Sequence, residues 1–113
     1  MNIARFDELK PYDAPHHFQM AALRVHGKET CGAETLTVGL SHFLPGGGAD
    51  SRPVPEGMEL VYYVVEGEMA VTTSEGRSVL RKGDSIFLRG GELRGVKNET
   101  TAPASMLVII GKR

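Results

Sequence analysis

Apolar residues along this chain fall in short runs that are separated by Gly, Pro and charged residues. The runs are rich in Val, Ile, Leu, Thr, Phe and Tyr, which are the residues that favour β-strands. Most of the 14 Gly residues lie between the runs, where they favour tight turns. Short strands at regular spacing, joined by Gly-rich turns, are typical of an all-β sandwich or barrel.

The pattern predicts roughly eight or nine strands after an irregular N-terminal arm. The arm spans residues 1–18, where "FDELK" suits one helical turn and the two prolines of "PYDAP" end it. The predicted strands are 18–26, 33–44, 58–65, 68–74, 77–83, 84–89, 92–99 and 104–112. No segment of helical period exceeds two turns, and no repeat or linker divides the chain. One barrel domain is therefore expected at 19–113.

The strand at 58–65, "MELVYYVV", is apolar at both alternating sets of positions. Such a strand is expected to be buried on both faces. The segment before it, 45–57, reads "PGGGADSRPVPEG" and is predicted to be a loop at the mouth of the barrel. Loops in this place often carry metal ligands, yet this segment contains neither His nor Cys.

Composition and charge narrow the class of protein. A chain of 113 residues with 41% apolar and 24% charged residues suits one globular domain. The net charge of −1 and the lack of a basic patch argue against nucleic acid as a partner. No apolar run has membrane length, and "MNIARFDELK" lacks the apolar core of a secretory signal. Cys31 is the single cysteine, so no internal disulfide forms. We expect a cytoplasmic protein with no membrane partner.

Two spacings of residues carry a resemblance to a known family. From Gly47, five residues lead to Pro53-Val54-Pro55, four more to Leu60, and six more to Gly67. From Gly83, five residues lead to Arg89-Gly90-Gly91, two more to Arg94, and three more to Asn98. These intervals resemble the two motifs of the cupin superfamily. There the first motif is Gly, five residues, His-x-His, three or four residues, Glu, six residues, Gly. The second is Gly, five residues, Pro-x-Gly, two residues, His, three residues, Asn.

The resemblance covers residues 47–98 and implies a jelly-roll β-barrel, as in small cupins. In the family, the two His of the first motif, its Glu and the His of the second motif hold a divalent metal. The matching positions here are Pro53, Pro55, Leu60 and Arg94. Pro and Leu have no donor atom in the side chain, and Arg has no lone pair to give. We therefore predict no metal at the family's usual place and no other cofactor.

A displaced ligand set is the first alternative. A bulge after "PEG" would turn Glu59 inward, although strand alternation favours an outward side chain when Leu60 points in. His42, on the strand before the loop, is a candidate metal ligand or acid–base catalyst, or else a surface residue. Together with His26 or Glu59 it would rebuild a metal site, as in a dioxygenase or isomerase. His16 and His17 in the arm are a poor chelating pair, because adjacent side chains of an extended segment point apart.

Arg94 is the most informative departure from the family pattern. A guanidinium inside an apolar barrel needs an anionic partner. That partner is either a carboxylate of the protein, with Glu59, Glu56 and Asp50 as candidates, or a bound anion. Tyr62, expected on the same inner surface, adds a hydroxyl.

These residues lead to one preferred function and two alternatives. The preferred function is binding of a small anionic, carboxylate-type ligand by Arg94, Tyr62 and Glu59, with a metal-independent isomerase or lyase reaction through His42 as one use of the site. The alternatives are a metal-dependent enzyme and a non-catalytic interaction module. The apolar strands 58–65 and 104–110 also favour a homodimer, because a small barrel cannot bury both of their faces.

Overall fold

The computed structural model describes residues 1–112 as a nine-stranded, nearly closed antiparallel barrel. The strands are β1 (Lys10–Tyr12), β2 (His17–His26), β3 (Leu36–Pro53), β4 (Met58–Glu66), β5 (Glu68–Thr73), β6 (Gly76–Arg81), β7 (Ser85–Arg89), β8 (Leu93–Lys97) and β9 (Ala104–Lys112). A short 3₁₀ helix, Phe6–Glu8, and a four-residue helix α1, Lys28–Cys31, complete the described elements. The predicted all-β jelly-roll fold is confirmed.

The hydrogen-bonded order of the strands is β6-β5-β8-β3-β9-β4-β7, with β2 also on β3 and β1 on β2. The 18-residue strand β3 belongs to both sides of the barrel. Its first part pairs with β9 and β2, and its last part, Gly48–Pro53, pairs with β8. This shared strand joins the two halves of the barrel around one interior.

The segment 45–57, predicted as a loop, is mostly strand. β3 runs on to Pro53, and only residues 54–57 separate it from β4. The physical reason is close approach of the backbones. A Cβ atom at Gly47 would lie 2.2 Å from the Gln19 carbonyl oxygen, and one at Gly48 would lie 2.1 Å from the Val96 carbonyl oxygen. Glycine, a poor strand former by propensity, is here the residue that allows the strands to pack.

The N-terminal arm is more regular than its sequence indicates. It contains β1, whose three residues pair with β2 from Ala22 to Arg24. The next strand begins at His17, one residue before the predicted start. The expected helical turn near Phe6 is present as the 3₁₀ helix. The segment after β2, predicted only as a break, contains α1.

Strand β4 alternates between the interior and the surface. Leu60, Tyr62 and Val64 are buried, as their predicted inward orientation requires. Tyr63 and Val65 are 41% and 38% exposed. The prediction that this strand is buried on both faces is therefore wrong for a single chain, because its outer face has no covering layer. None of the helices in residues 1–112 has the length and apolar character needed to cross a membrane.

Candidate functional site

A cavity of about 210 Å³ lies inside the barrel. Its apolar wall is formed by inward side chains of several strands: Phe43, Leu60, Val96, Met106, Val108 and Ile110. Its polar wall is formed by Tyr12, His17, Arg24, Ser41, Tyr62 and Arg94. Among the described residues, no Asp or Glu lines this space. A mostly apolar cavity with a few converging polar groups is the usual form of a small-molecule site.

An outer pocket of about 230 Å³ adjoins the cavity at the barrel mouth. Four residues line both spaces: Pro15, His17, Tyr62 and Arg94. The outer pocket also includes Pro53 and Asp50. A ligand in the cavity would therefore reach solvent past this group of shared residues.

Arg94 projects from β8 to the boundary between the two spaces. Its Nη1 donates to the carbonyl oxygens of Arg52 at 2.8 Å and Pro53 at 3.0 Å. Its Nε donates to the Tyr62 hydroxyl oxygen at 3.3 Å. Within residues 1–112 it forms no ion pair, so the partners considered from the sequence, Glu59, Glu56 and Asp50, do not neutralise it. Arg94 is thus a fixed cation at the cavity that retains donor capacity for an anion.

Tyr62 lies on β4 and is only 6% exposed. Burial in the barrel raises the pKa of its phenol above 10.0, while the charge of Arg94 and its hydrogen bond act in the opposite direction. The neighbouring Tyr12 phenol acts in the same direction as burial on the pKa of Tyr62. The Tyr62 phenol is therefore protonated at neutral pH. Because its oxygen accepts from Arg94, its proton is free to be donated to a ligand.

Tyr12 and Arg24 add a second polar group to the cavity. The Tyr12 hydroxyl lies against Gly39, where a Cβ atom would be 3.2 Å away. The guanidinium carbon of Arg24 stands 4.0 Å from the centroid of the Tyr12 ring, which is a cation–π contact. No local sequence pattern indicates either residue, because Tyr12 belongs to the arm and its pairing with β2 depends on residues distant in sequence.

His17 is the histidine that the fold brings to the cavity. Its Nδ1 is 2.8 Å from the Pro15 carbonyl oxygen. A carbonyl only accepts, so Nδ1 carries the hydrogen and Nε2 holds the lone pair in the neutral ring. His17 was dismissed at the sequence level as half of a poor chelating pair. Its place in the wall depends on how the arm crosses the barrel mouth.

The fold does not bring His42 or Glu59 to the cavity. His42 lies between Ser41 and Phe43, which face the interior, so it points outward. There its Nδ1 is 2.7 Å from Ser105 Oγ, and its ring meets Phe6 edge-on. Glu59 precedes the inward Leu60 and lies opposite Arg89 on the outer side of the sheet.

The donor set does not fit the family's metal. The positions that match the family ligands do face the site, since Pro53 and Pro55 line the outer pocket, Leu60 lines the cavity and Arg94 lines both. None of these side chains can coordinate a cation. Throughout the described chain, no three His, Cys, Asp or Glu side chains converge as a metal site would require. The displaced ligand set considered from the sequence is therefore not assembled.

The barrel, the two motif spacings and the interior site together define a cupin. The family model described as "Cupin domain" matches residues 39–110, and the chain belongs to this family.

Similar proteins of known sequence or structure extend this assignment. A protein named Beta-D-galactosidase Rv1717, from Mycobacterium tuberculosis, is 38% identical over 110 residues, which cover 97% of this chain and 93% of that protein. The crystal structure of TT1209 from Thermus thermophilus is 33% identical and covers 100% of this chain and 99% of its own, with a TM-score of 0.78. A sugar phosphate isomerase from Silicibacter pomeroyi shares the fold, with a TM-score of 0.83, 20% identity and coverage of 99% of this chain and 76% of its own.

Proposed function

We propose that this cupin binds a small organic anion inside the barrel and does so without a metal. The observation that carries the proposal is Arg94, a guanidinium at the cavity wall that has no carboxylate partner among the described residues. A cation in a low-dielectric site stabilises an anion more strongly than the same cation does in water. Its Nη2, which has no hydrogen-bond partner among the described residues, is left to donate to a carboxylate oxygen. The Tyr62 hydroxyl, bonded to Arg94 at 3.3 Å, supplies a second donor beside it.

An acid–base reaction at this site would use His17. A general base must reach the ligand, and His17 lines both the cavity and its mouth, whereas His42 lies on the outer surface. Its Nε2 lone pair takes the proton, and the Pro15 carbonyl holds the ring in the required tautomer. The protonated Tyr62 phenol is the matching acid. These groups fit a proton-transfer isomerase or lyase acting on a carboxylate-bearing substrate.

Glycoside hydrolysis is a second candidate, because the relative from Mycobacterium tuberculosis is named a β-D-galactosidase. Hydrolysis of this kind ordinarily needs two carboxyl groups that flank the scissile bond. Among the described lining residues, Asp50 at the outer pocket is the one carboxylate, and the inner cavity has none. The residues therefore favour binding of a sugar acid over cleavage of a galactoside.

A second copy of the chain is the partner that we propose for the outer face of the barrel. Strand register places two rows of apolar side chains side by side on this face: Val38, Ile109, Val61 and Phe87 in one row, and Leu40, Leu107 and Tyr63 in the other. Phe87 is 47% exposed and Tyr63 is 41% exposed. Because the patch spans four hydrogen-bonded strands and ends at the Glu59–Arg89 pair, a twofold-related copy can bury it and set acidic against basic residues.

Light scattering should give the mass of a dimer, and Phe87→Glu should give a monomer. A monomeric wild type would contradict this part of the proposal.

Titration of the protein with galacturonate, glucuronate, pyruvate and inorganic phosphate tests the binding function directly. We expect at least one carboxylate to bind, and Arg94→Met to weaken it by roughly tenfold to a hundredfold, the effect of losing a charge-assisted hydrogen bond. Arg81→Met is the matched control, since Arg81 is an exposed arginine paired with Glu68 outside the cavity. Binding that survives Arg94→Met unchanged, or no binding of any anion, would overturn the proposal. Turnover of a nitrophenyl β-galactoside that is lost in Asp50→Asn would favour the hydrolase instead.

A further inference from the structure

Arg24 is a second cation that the cavity wall contains and that the proposed function leaves unexplained. It projects from β2, and its side chain packs along Gly27, where a Cβ atom would lie 3.2 Å from Arg24 Cδ. Its guanidinium rests on the Tyr12 ring. On its other side a pocket of about 290 Å³ includes Glu8, but Arg24 forms no ion pair with Glu8 or any other described residue. A second arginine therefore lines the cavity without a carboxylate partner in residues 1–112.

Each of the two arginines contacts a tyrosine of the cavity wall. The guanidinium carbon of Arg24 lies 4.0 Å from the centroid of the Tyr12 ring, and Arg94 donates a hydrogen bond to the Tyr62 hydroxyl at 3.3 Å. All four side chains line the same cavity. The polar wall thus contains two cations and two phenols.

We propose that the ligand of this cavity carries two acidic groups on a short carbon skeleton, with Arg94 binding one group and Arg24 the other. This inference rests on the proposed function and names its ligand class as a small dicarboxylate, hydroxylated or not. Among the described lining residues no carboxylate neutralises either guanidinium, so a dianion would compensate both charges and a monoanion only one. The phenols of Tyr12 and Tyr62, which line the same cavity, are donors for hydroxyl or carbonyl oxygens of the ligand.

The size of the cavity sets the length of the skeleton. A cavity of about 150 Å³ holds one benzene molecule. The volume here is about 210 Å³, which leaves room for a chain of a few carbons with a carboxylate at each end. Larger ligands, such as disaccharides, do not fit the enclosed part and would extend into the outer pocket.

The experiment compares dianions with monoanions of nearly equal size. Succinate, glutarate and adipate are titrated calorimetrically against their monomethyl esters, with the wild type, Arg24→Met, Arg94→Met and the surface control Arg81→Met. We expect at least one diacid to bind at least tenfold more tightly than its monoester. Arg24→Met should abolish this preference, so that the diacid and its monoester then bind with similar affinity. The Nε–H resonances of both Arg24 and Arg94 should shift when the diacid binds, which a merely structural role of Arg24 would not produce.

The outcomes separate this inference from the function on which it rests. Equal affinity for diacid and monoester, with no effect of Arg24→Met, overturns the two-point inference while anion binding at Arg94 stands. Absence of binding for every diacid and monoester overturns the two-point inference directly. If the uronates, pyruvate and phosphate also fail to bind, the proposed function falls with it. Circular dichroism of each variant confirms that it is folded before titration.

Discussion

Asn98 is expected to hold the turn before β9 against β3, and its removal gives a quantitative test of the fold. The residue follows β8 and is fully buried at 0% exposure. Its Nδ2 donates to the carbonyl oxygens of Phe43 at 3.3 Å and Ala102 at 2.8 Å. Its Oδ1 accepts from the backbone N–H of Thr100 at 3.0 Å and from the Thr100 hydroxyl at 2.7 Å. One side chain thus shapes the turn before β9 and fixes it to β3 beside a residue of the cavity wall.

The expected cost of Asn98→Ala follows from these four hydrogen bonds. Each is worth roughly 1 kcal/mol net, so the variant should lose about 3 kcal/mol of unfolding free energy, allowing for partial replacement by water. In a domain of this size that loss lowers the melting temperature by roughly 10 °C. Thr100→Val, which deletes one partner hydroxyl, should cost about 1 kcal/mol.

Urea unfolding is the appropriate assay, followed by circular dichroism or tyrosine fluorescence since the chain has no Trp. The control is Asn2→Ala, which removes an exposed amide near the N-terminus and should change the midpoint little. A loss below about 1 kcal/mol for Asn98→Ala, or an equal loss in Asn2→Ala, would refute the reasoning. An unchanged denaturant slope is required for the comparison to report stability alone.

Three further predictions concern the cavity and its neighbours. Because burial raises the pKa of Tyr62 above 10.0, the unfolded chain ionises first, and the folded protein should lose stability as pH rises above about 10. Tyr62→Phe should reduce that loss. In a tyrosinate absorbance titration, Arg94→Met should shift the ionisation of Tyr62 to still higher pH, because Arg94 lowers the pKa of this phenol. Gly48→Ala should destabilise the fold by roughly 2–4 kcal/mol in urea unfolding, because its Cβ would lie 2.1 Å from the Val96 carbonyl oxygen. Gly111→Ala is the matched control, since Gly111 also lies in a strand without a positive φ and a Cβ there meets nothing within 4 Å. Elemental analysis of untagged protein should find no stoichiometric zinc, nickel, manganese or iron, and stable uptake of one of these metals on add-back would contradict the proposal of a metal-free site.

The barrel could be predicted from the sequence because its signals are local or have fixed spacing. Runs such as 58–65 and 104–112 indicate strands by composition alone, and the two motif spacings supply the order of turns. Strand alternation then predicted the inward direction of Leu60 and Tyr62. The second motif predicted the place of Arg94. These residues lie where they were expected because each prediction needed only the alternation of side chains along a strand or the interval between motif residues.

The errors arose where the determining contact is far away in sequence. Gly47 and Gly48 read as loop formers, yet their role depends on backbone from β2 and β8. His42 was a candidate because it lies on the strand before the loop, and its place there does not determine which side of the sheet it faces. His17 and Tyr12 were assigned to an irregular arm, although their positions in the wall depend on pairing across the barrel mouth. No local sequence pattern indicates such pairing, so the contribution of the arm to the cavity wall is visible only in the structure.

β1 and β3 differ in the number of strands that pair with them, and this difference should determine which part of the barrel opens first. β3 is hydrogen-bonded into both halves of the barrel, so its amide hydrogens should be released only when the whole fold opens. β1 contributes three residues and pairs along one edge alone, with β2. It is therefore the strand expected to open at the lowest free energy, and its opening withdraws Tyr12 from the cavity wall. Amide hydrogen exchange at Lys10 and Tyr12 would report this opening, and with it the release of Tyr12 from the cavity wall.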